Sequence, residues 1–537
     1  MRVLRQAVPA LLPFLFAAAP LLSLYSDNQS EVELGVLWWP LFLLALASAA
    51  LYGVFLLAFR DGPKAAVLAS AVAVWFNFYG DYNWNLWVWT LLFAALALLV
   101  ALLVKPRVAG ALTLGLGIAA VVLVVSPALK VARYESDNPG LSSSDPKVWP
   151  TSLTTPTAPA GTPRPDIYVL IPDDYARHDV LAHYFRYDNT PFLRALERRG
   201  FVVAPESRSP YSDSEENIAA EVNMDYLSRL PEILGKKSDD NRPVRRLIQD
   251  NRASRILKSL GYRYIHLDTD QVTWAVRNPH ISHVGSPDGF MSLWLADRSV
   301  LKKVGGWPGF NQSATDERFR DTIHSQFAAL DDLPSQRGPK FVLFHTILPH
   351  DPYIFGPRGE AVTFHDTTGE EHTTRTGMRY YARQARYLET LMLRAVDAIQ
   401  KKSRQPPVIL VQADEGFEGN EKSLGSEAAM LDVRVKGISA MYLPGMAKAR
   451  PPDRLNTVNS LRFVFNRYFG AGYPMLRNAS YPEGDLPYQF EEMKLRGLSY
   501  RAPAQSARAL RRARTRGIQK TSAHSAPSTA PATTSDG

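Results

Sequence analysis

A chain of 537 residues with no cysteine forms no disulfide, no thiolate metal site and no cysteine nucleophile. Its net charge of +9 comes from 61 Lys and Arg against 52 Asp and Glu. Several of those bases fall after Tyr500, and nothing resembles a nucleic-acid-binding signature, so a nucleic-acid partner is not expected. Apolar residues make up 46% and crowd into the stretch before Val125, so the length divides between a membrane region and an ordinary soluble one.

In chain order, the apolar segments are Val8–Leu24, Leu37–Phe59, Ala65–Phe78, Leu86–Val104 and Val108–Val125. A span needs roughly 20 residues to cross ~30 Å of hydrocarbon. Ala65–Phe78 is short, and Tyr79, Tyr82 and Trp84 beyond it read as interface anchors. Arg2, Arg5, Arg60, Lys64, Lys105 and Arg107 mark one side, and Asp27, Glu31, Glu33 and Asp81 mark the other. The positive-inside rule then places the N-terminus in the cytoplasm and everything after the last segment outside. Ala17-Ala18-Ala19 also resembles a signal-peptide cleavage site, which would leave the same orientation. The region is either a plain anchor or a bundle that helps present a lipid.

The predicted divisions are a transmembrane region over 1–133, a linker over 134–164, a soluble domain over 165–500 and a tail over 501–537. Ser142–Arg164 is rich in Ser, Thr, Pro and Ala and reads as an extended linker. The tail is basic, then Ser/Thr/Ala/Pro-rich, and is expected to be disordered. Between them strands and helices alternate. Expected strands are Ile167–Ile171, Phe201–Val203, Tyr264–Leu267, Lys340–His345, Val408–Gln412 and Ile438–Leu443. Expected helices include Phe192–Arg199, Arg245–Leu260, Met378–Lys401 and Asn456–Phe469. This alternation predicts an α/β fold with a mainly parallel sheet covered on both faces.

Two strands end in carboxylates: Ile167–Ile171 runs to Asp173 and Asp174, and Val408–Gln412 runs to Asp414, Glu415 and Gly416. Strand ends on one edge of an α/β sheet are where ligands bind. A hydroxyl-rich loop, Ser207 to Ser214, precedes a helix, and Ser214 stands at its N-cap position. Free backbone N–H groups there suit a phosphate. His345 ends the strand Lys340–His345, and His350 lies on the segment it leads into. Asp173, Asp414, Glu415 and the Ser214 hydroxyl are hard oxygen donors suited to one divalent cation, which would neutralise phosphate charge and lower the hydroxyl pKa. The plainer readings stay open: Ser214 as a cap only, the acids as turn residues, and the histidines as structural.

The order Pro165-Asp166-Ile167-Tyr168, Asp173, Tyr187-Asp188-Asn189-Thr190-Pro191, Asn223-Met224-Asp225-Tyr226-Leu227, Pro349-His350-Asp351-Pro352-Tyr353, Gln412-Ala413-Asp414-Glu415-Gly416 and Asn466-Arg467-Tyr468-Phe469-Gly470 resembles membrane-anchored sulfatase-like proteins of the alkaline phosphatase superfamily. The N-terminal spans are similar to those of lipoteichoic acid synthases and phosphoethanolamine transferases. The resemblance covers about Pro165 to Tyr481. It implies an alkaline-phosphatase-like three-layer α/β/α domain, outside a bacterial inner membrane, in the periplasm or extracellular. It implies Ser214 as nucleophile, with Ser212 as the fallback. Asp173, Asp414, Glu415 and Ser214 would be metal ligands, His350 would bind substrate, and His345 would assist it. Glu415 stands where that family usually has a histidine ligand, which favours Mn²⁺ or Mg²⁺, with Zn²⁺ or Ca²⁺ also able to bind. Glu215, Glu216 and Glu221 add negative charge near the phosphate position. No Cys/Ser-x-Pro/Ala-x-Arg context surrounds Ser212 or Ser214, which disfavours sulfate ester hydrolysis.

The function expected is a metal-dependent phosphotransferase or phosphodiesterase acting on phospholipid-derived or envelope-glycan phosphoesters. Its partners would be membrane lipid and a glycan acceptor. The competing expectation is a degenerate, non-catalytic scaffold that binds a glycan or a protein.

Overall fold

The computed structural model describes residues 2–79, 85–138, 140–141, 144–157, 164–267, 299–303, 312–364, 374–445, 450–482 and 486–493. Asp81, Tyr82, Trp84 and the tail 501–537 lie outside the described residues.

The N-terminal region is a bundle of α1 (Arg2–Asp27), α2 (Trp38–Phe59), α3 (Gly62–Asn77), α4 (Leu86–Leu103) and α5 (Pro106–Asp137). Four stretches are long and apolar enough to cross a membrane: Pro9–Asp27, Leu34–Phe59, Leu86–Leu103 and Pro106–Asp137. The remaining predicted segment falls in α3, whose 16 residues rise only about 24 Å at ~1.5 Å each. α3 starts on a cap, Asp61 accepting from Lys64 N at 2.9 Å, with Pro63 in the first turn. Its Ala65, Ala66, Ala69, Ser70 and Ala73 are buried, small side chains that let neighbouring helices approach closely. α2, α4 and α5 instead expose Phe42, Leu57, Leu91, Leu102, Leu114 and Ile118, a surface fit for lipid. α1 is the best covered of the candidate spans, with 67% of its apolar window buried. Ala17-Ala18-Ala19 therefore sits in the packed interior of the bundle.

The soluble domain contains β1 (Ile167–Pro172), β2 (Phe201–Val203), β3 (Arg263–Leu267), β4 (Lys340–Thr346), β5 (Tyr353–Phe355), β6 (Ala361–Phe364), β7 (Val408–Gln412) and β8 (Ser439–Tyr442). A six-stranded sheet has the order β2-β8-β7-β1-β4-β3, and β5 and β6 form a separate hairpin. β3, β4, β1 and β7 run parallel, while β8 is antiparallel to both β7 and β2. The sheet is thus mainly parallel, as expected, with one reversed strand. All of β1 is buried, which is why it reads as an unbroken apolar run and not as an alternating one.

Both faces are covered. Tyr168 and Leu170 of β1 pack under α6 (Thr190–Arg198), and Ile167, Val169 and Ile171 pack under α7 (Ser214–Asn223), α8 (Arg242–Gln249) and α9 (Arg252–Ser259). α10 (Gln312–Asp332), α11 (Arg375–Lys402) and α12 (Glu427–Arg434) join the α6 face, and α13 (Ser460–Tyr468) joins the α7 face. This is the three-layer α/β/α architecture.

Two expectations change. The single helix expected over Arg245–Leu260 is broken at Asp250-Asn251, because Asn251 caps a new helix by accepting from Ser254 N at 2.7 Å. The described part of the linker is not free. Val148 and Trp149 are buried in the core, and Thr151 bonds Asp225, Arg252 and Arg462.

Candidate metal centre

Parallel register gathers the chemistry. β1 lies between β4 and β7, with Ile171 opposite His345 and Leu170 opposite Val411. Residues just past these positions therefore emerge together at the C-terminal edge. Asp173 N–H donates to the Thr346 carbonyl at 3.0 Å. The chain then turns sharply: Asp174 has φ of 59°, a left-handed conformation that non-glycine residues seldom adopt and that clusters at functional sites. Tyr381 holds this turn, its hydroxyl donating to the Asp174 carbonyl at 2.7 Å and accepting from Ala176 N at 3.0 Å.

His345 Nε2 is 3.6 Å from Asp173 Oδ2 and 3.4 Å from Asp414 Oδ2, and all three side chains are buried. Their donor atoms lie within 4.8 Å of one another. Burial and the neighbouring Asp414 charge push the Asp173 carboxyl up. Burial also acts on Asp414, but the His345 imidazole and the Glu415 N–H outweigh it and hold Asp414 below the usual range. Two carboxylates and an imidazole, desolvated together, fit a divalent cation. His345, expected to assist His350, is fully buried and grouped with the two carboxylates, because β4 is the immediate neighbour of β1.

Ser214 Oγ is 3.4 Å from Asp173 Oδ1 and 3.3 Å from Glu415 Oε1. It is not the N-cap. Asp213 caps α7, accepting from Glu215 N at 3.0 Å, and Ser214 is the first helical residue. The hydroxyl is thereby released from capping and faces the acids. Ser212 is buried, and its carbonyl accepts from Arg434 Nε at 2.6 Å.

Arg434, at the end of α12, was not legible in the sequence. Its Nη2 is 3.2 Å from Glu415 Oε1, and its Nη1 is 3.4 Å from Asp174 Oδ1 and 3.2 Å from Glu418 Oε2. Gly416 permits this. A Cβ there would meet the Val433 carbonyl at 2.0 Å, and Gly416 N–H donates to the Arg434 carbonyl at 2.6 Å. Gly416 therefore serves a close approach of two backbones. Further groups able to hold a metal are Asp173 with Asp174 and Glu415, and Asp174 with His350 and Glu418. Arg434 contacts carboxylates in both. It touches none in the Asp173, His345 and Asp414 set, which among the described residues is the group best left for an ion. Glu415, read as a ligand, is thus turned toward Arg434, while its Oε2 is buried with no hydrogen-bond partner among the described residues. Burial pushes Asp174 up to about 8 against the pull of Arg434.

His350 is partly exposed, at 26%, with Nε2 3.4 Å from Glu418 Oε2. Burial acts to lower its pKa, but Glu418, Asp173, Asp174 and Asp351 outweigh it and hold the imidazole well above its usual range. It stands at the rim of the carboxylate cluster. The acids after Ser214 are paired or buried and are not free charges beside its hydroxyl. Glu215 pairs with Arg245, Glu221 bonds Gln412, and Glu216 is buried.

Arg434→Met would leave buried carboxylates without their cation. The expected loss is about 3 kcal/mol of stability, read by thermal melting, with Arg434→Lys losing less. An unchanged melt for Arg434→Met would show that the guanidinium does not hold this cluster.

No family model and no curated protein sequence matches this chain. Solved structures do. The C-terminal periplasmic domain of EcEptC from Escherichia coli, in complex with Zn, aligns over 63% of this chain and 98% of its own, at 10% identity and a TM-score of 0.42. The integral membrane protein lipooligosaccharide phosphoethanolamine transferase A from Neisseria meningitidis aligns over 81% of this chain and 88% of its own, at 13% identity and a TM-score of 0.37. A protein in the alkaline phosphatase superfamily from Vibrio parahaemolyticus aligns over 65% and 80%, at 16% identity and a TM-score of 0.35.

Proposed function

We propose that this chain is a membrane-anchored, metal-dependent phosphotransferase, with phosphodiester hydrolysis as the same chemistry on water. The observation that supports it most is the Ser214 hydroxyl, released from capping and set against Asp173 and Glu415 beside the Asp173, His345 and Asp414 group. Those three residues would hold the ion, and Ser214 and Glu415 stand close enough to join them. A bound divalent cation would supply charge neutralisation for the phosphate and a lower hydroxyl pKa.

The chain's own groups do the rest. Ser214 Oγ gives up its proton to Glu415 or Asp173 and attacks phosphorus. A serine O–P bond forms, and the bond to the leaving alcohol breaks. His350, charged at the rim, steadies the phosphate oxygens and returns a proton to the leaving oxygen. An acceptor hydroxyl then gives its proton to the now neutral His350 and attacks the same phosphorus, and the serine O–P bond breaks as Ser214 Oγ takes its proton back from the carboxyl. With water as acceptor the outcome is hydrolysis. Incubating the full-length protein with phospholipid vesicles and Mn²⁺ or Zn²⁺, then mapping peptides by mass, should find a phosphodiester-derived adduct on Ser214. An adduct-free protein that still consumes lipid would rule out the covalent route.

The donor would be a phospholipid head group, since the domain rests on the end of the bundle that carries Glu31 and Glu33. That is the acidic end, opposite Arg60, Lys64, Lys105 and Arg107, which supports an external, periplasmic domain of an inner-membrane protein. A reporter active only when exported should work when fused after Gly470. Activity from a cytoplasm-dependent reporter there would reverse the topology. The acceptor would be an envelope glycan hydroxyl. One observation favours the rival, non-catalytic reading: Arg434 already occupies Glu415, the residue that replaces the usual histidine.

A further inference from the structure

α8 carries Arg242, Arg245 and Arg246 at i, i+3 and i+4, one helical face, and Val244, Leu247 and Ile248 elsewhere. The apolar set is buried with Ile218, Ala219 and Val222 of α7, and Asn223 Nδ2 donates to the Leu247 carbonyl at 2.8 Å. The two helices are therefore packed against one another. The arginine face meets the membrane region. Arg246 binds both carboxylate oxygens of Glu33, each at 2.6 Å, and Arg242 Nη1 lies 2.6 Å from Glu135 Oε1. Asn241 N–H donates to the Ser30 carbonyl at 3.0 Å, and its side chain donates to Glu31 at 3.1 Å.

Arg245 differs from its neighbours because it reaches both ways. Its Nε donates to Glu215 Oε1 at 2.7 Å, Nη2 donates to Glu31 Oε2, and Nη1 donates to the Glu31 carbonyl. Glu215 is the residue after Ser214, and Glu31 lies in the loop between α1 and α2. The Arg245 and Glu215 side chains are 10% and 11% exposed. Little water reaches the Glu215 half of the fork, whereas Glu31 is 36% exposed, so the membrane side is the half that a substitution can loosen.

We infer that Arg245 is a positioning residue that ties the start of the Ser214 helix to the α1–α2 loop, making the membrane region part of the scaffold of the site. A plain anchor needs no such link. Arg242 and Arg246 fasten the domain to the bundle, but of these arginines only Arg245 carries that fastening to the residue beside the nucleophile. A lipid-side displacement of the loop would then be felt at Ser214 before any contact with substrate.

Because removing Arg245 outright would leave Glu215 buried and unpaired, the change is best made on the membrane side. Hydrogen–deuterium exchange of the full-length protein in detergent reads the amides of α7. Glu31→Gln should speed exchange at the start of α7 about tenfold. Glu33→Gln, which loosens only Arg246, should leave it within about twofold. Unchanged exchange in Glu31→Gln overturns the inference, and so does an equal effect from Glu33→Gln. Should Glu31→Gln fail to accumulate, Arg245→Lys keeps the buried charge but cannot fork to both carboxylates. The same acceleration is expected there, and wild-type protection would overturn the inference. The importance of this link for turnover rests on Ser214 as nucleophile. Exchange needs no turnover, so a failed Ser214 assignment and a failed Arg245 link are separately visible.

Discussion

Ser214→Ala should lower turnover of a chromogenic phosphodiester, such as bis(4-nitrophenyl) phosphate, by at least about a thousandfold, since the bond-forming oxygen is gone. Stability should stay within about 0.5 kcal/mol, because Asp213 and not Ser214 caps α7 and alanine is the better helix former. Ser212→Ala is the matched control. Its carbonyl, which holds Arg434, survives the substitution, so it should keep most of the activity. Full activity in Ser214→Ala with loss in Ser212→Ala would transfer the nucleophile's role to Ser212. Residual activity in both would point to water attacking phosphorus directly.

Metal removal and return gives the other large effect. Chelated full-length protein should melt lower than the loaded form, since Asp173 and Asp414 repel across His345 without a cation. Returning an ion at a hundredfold excess over its Kd should stabilise by about 2.7 kcal/mol. The sequence alone suggested oxygen donors and hence Mn²⁺ or Mg²⁺. His345 adds an imidazole, so Zn²⁺ and Mn²⁺ should raise the Tm more than Mg²⁺ or Ca²⁺. Asp414→Asn should weaken every ion, and His345→Ala should weaken Zn²⁺ most. Glu415→Gln separates the roles of the acids: if Glu415 mainly serves Arg434, the Tm shift survives. Loss as complete as in Asp414→Asn would make Glu415 a ligand that leaves Arg434 when metal binds. If no ion moves the wild-type melt, the non-catalytic scaffold becomes the better reading.

Local patterning determined much of this protein. The long apolar runs fix the membrane helices because a span must satisfy its backbone internally. The continuous run of β1 fixes a strand buried on both faces, and the acids that end β1 and β7 are the carboxylates that gather at one sheet edge. The hydroxyl-rich loop before α7 offered Ser214, whose hydroxyl the fold sets near Asp173 and Glu415. Other features needed the tertiary structure, for reasons of distance along the chain. His345 joins Asp173 and Asp414 because β4 and β7 flank β1, and strand order is not written in any one strand. Asp213 wins the cap from Ser214 because both can accept from backbone N–H groups, and only the folded loop decides which side chain turns inward. Arg434 reaches Glu415 across a close backbone crossing at Gly416, where the glycine was visible and its purpose was not. Arg245 was visible too, as one basic residue in a helical stretch. That it stands between a loop of the membrane region and the neighbour of Ser214 follows from docking two regions far apart in sequence. Ion pairs of that kind depend on packing, which no local pattern encodes.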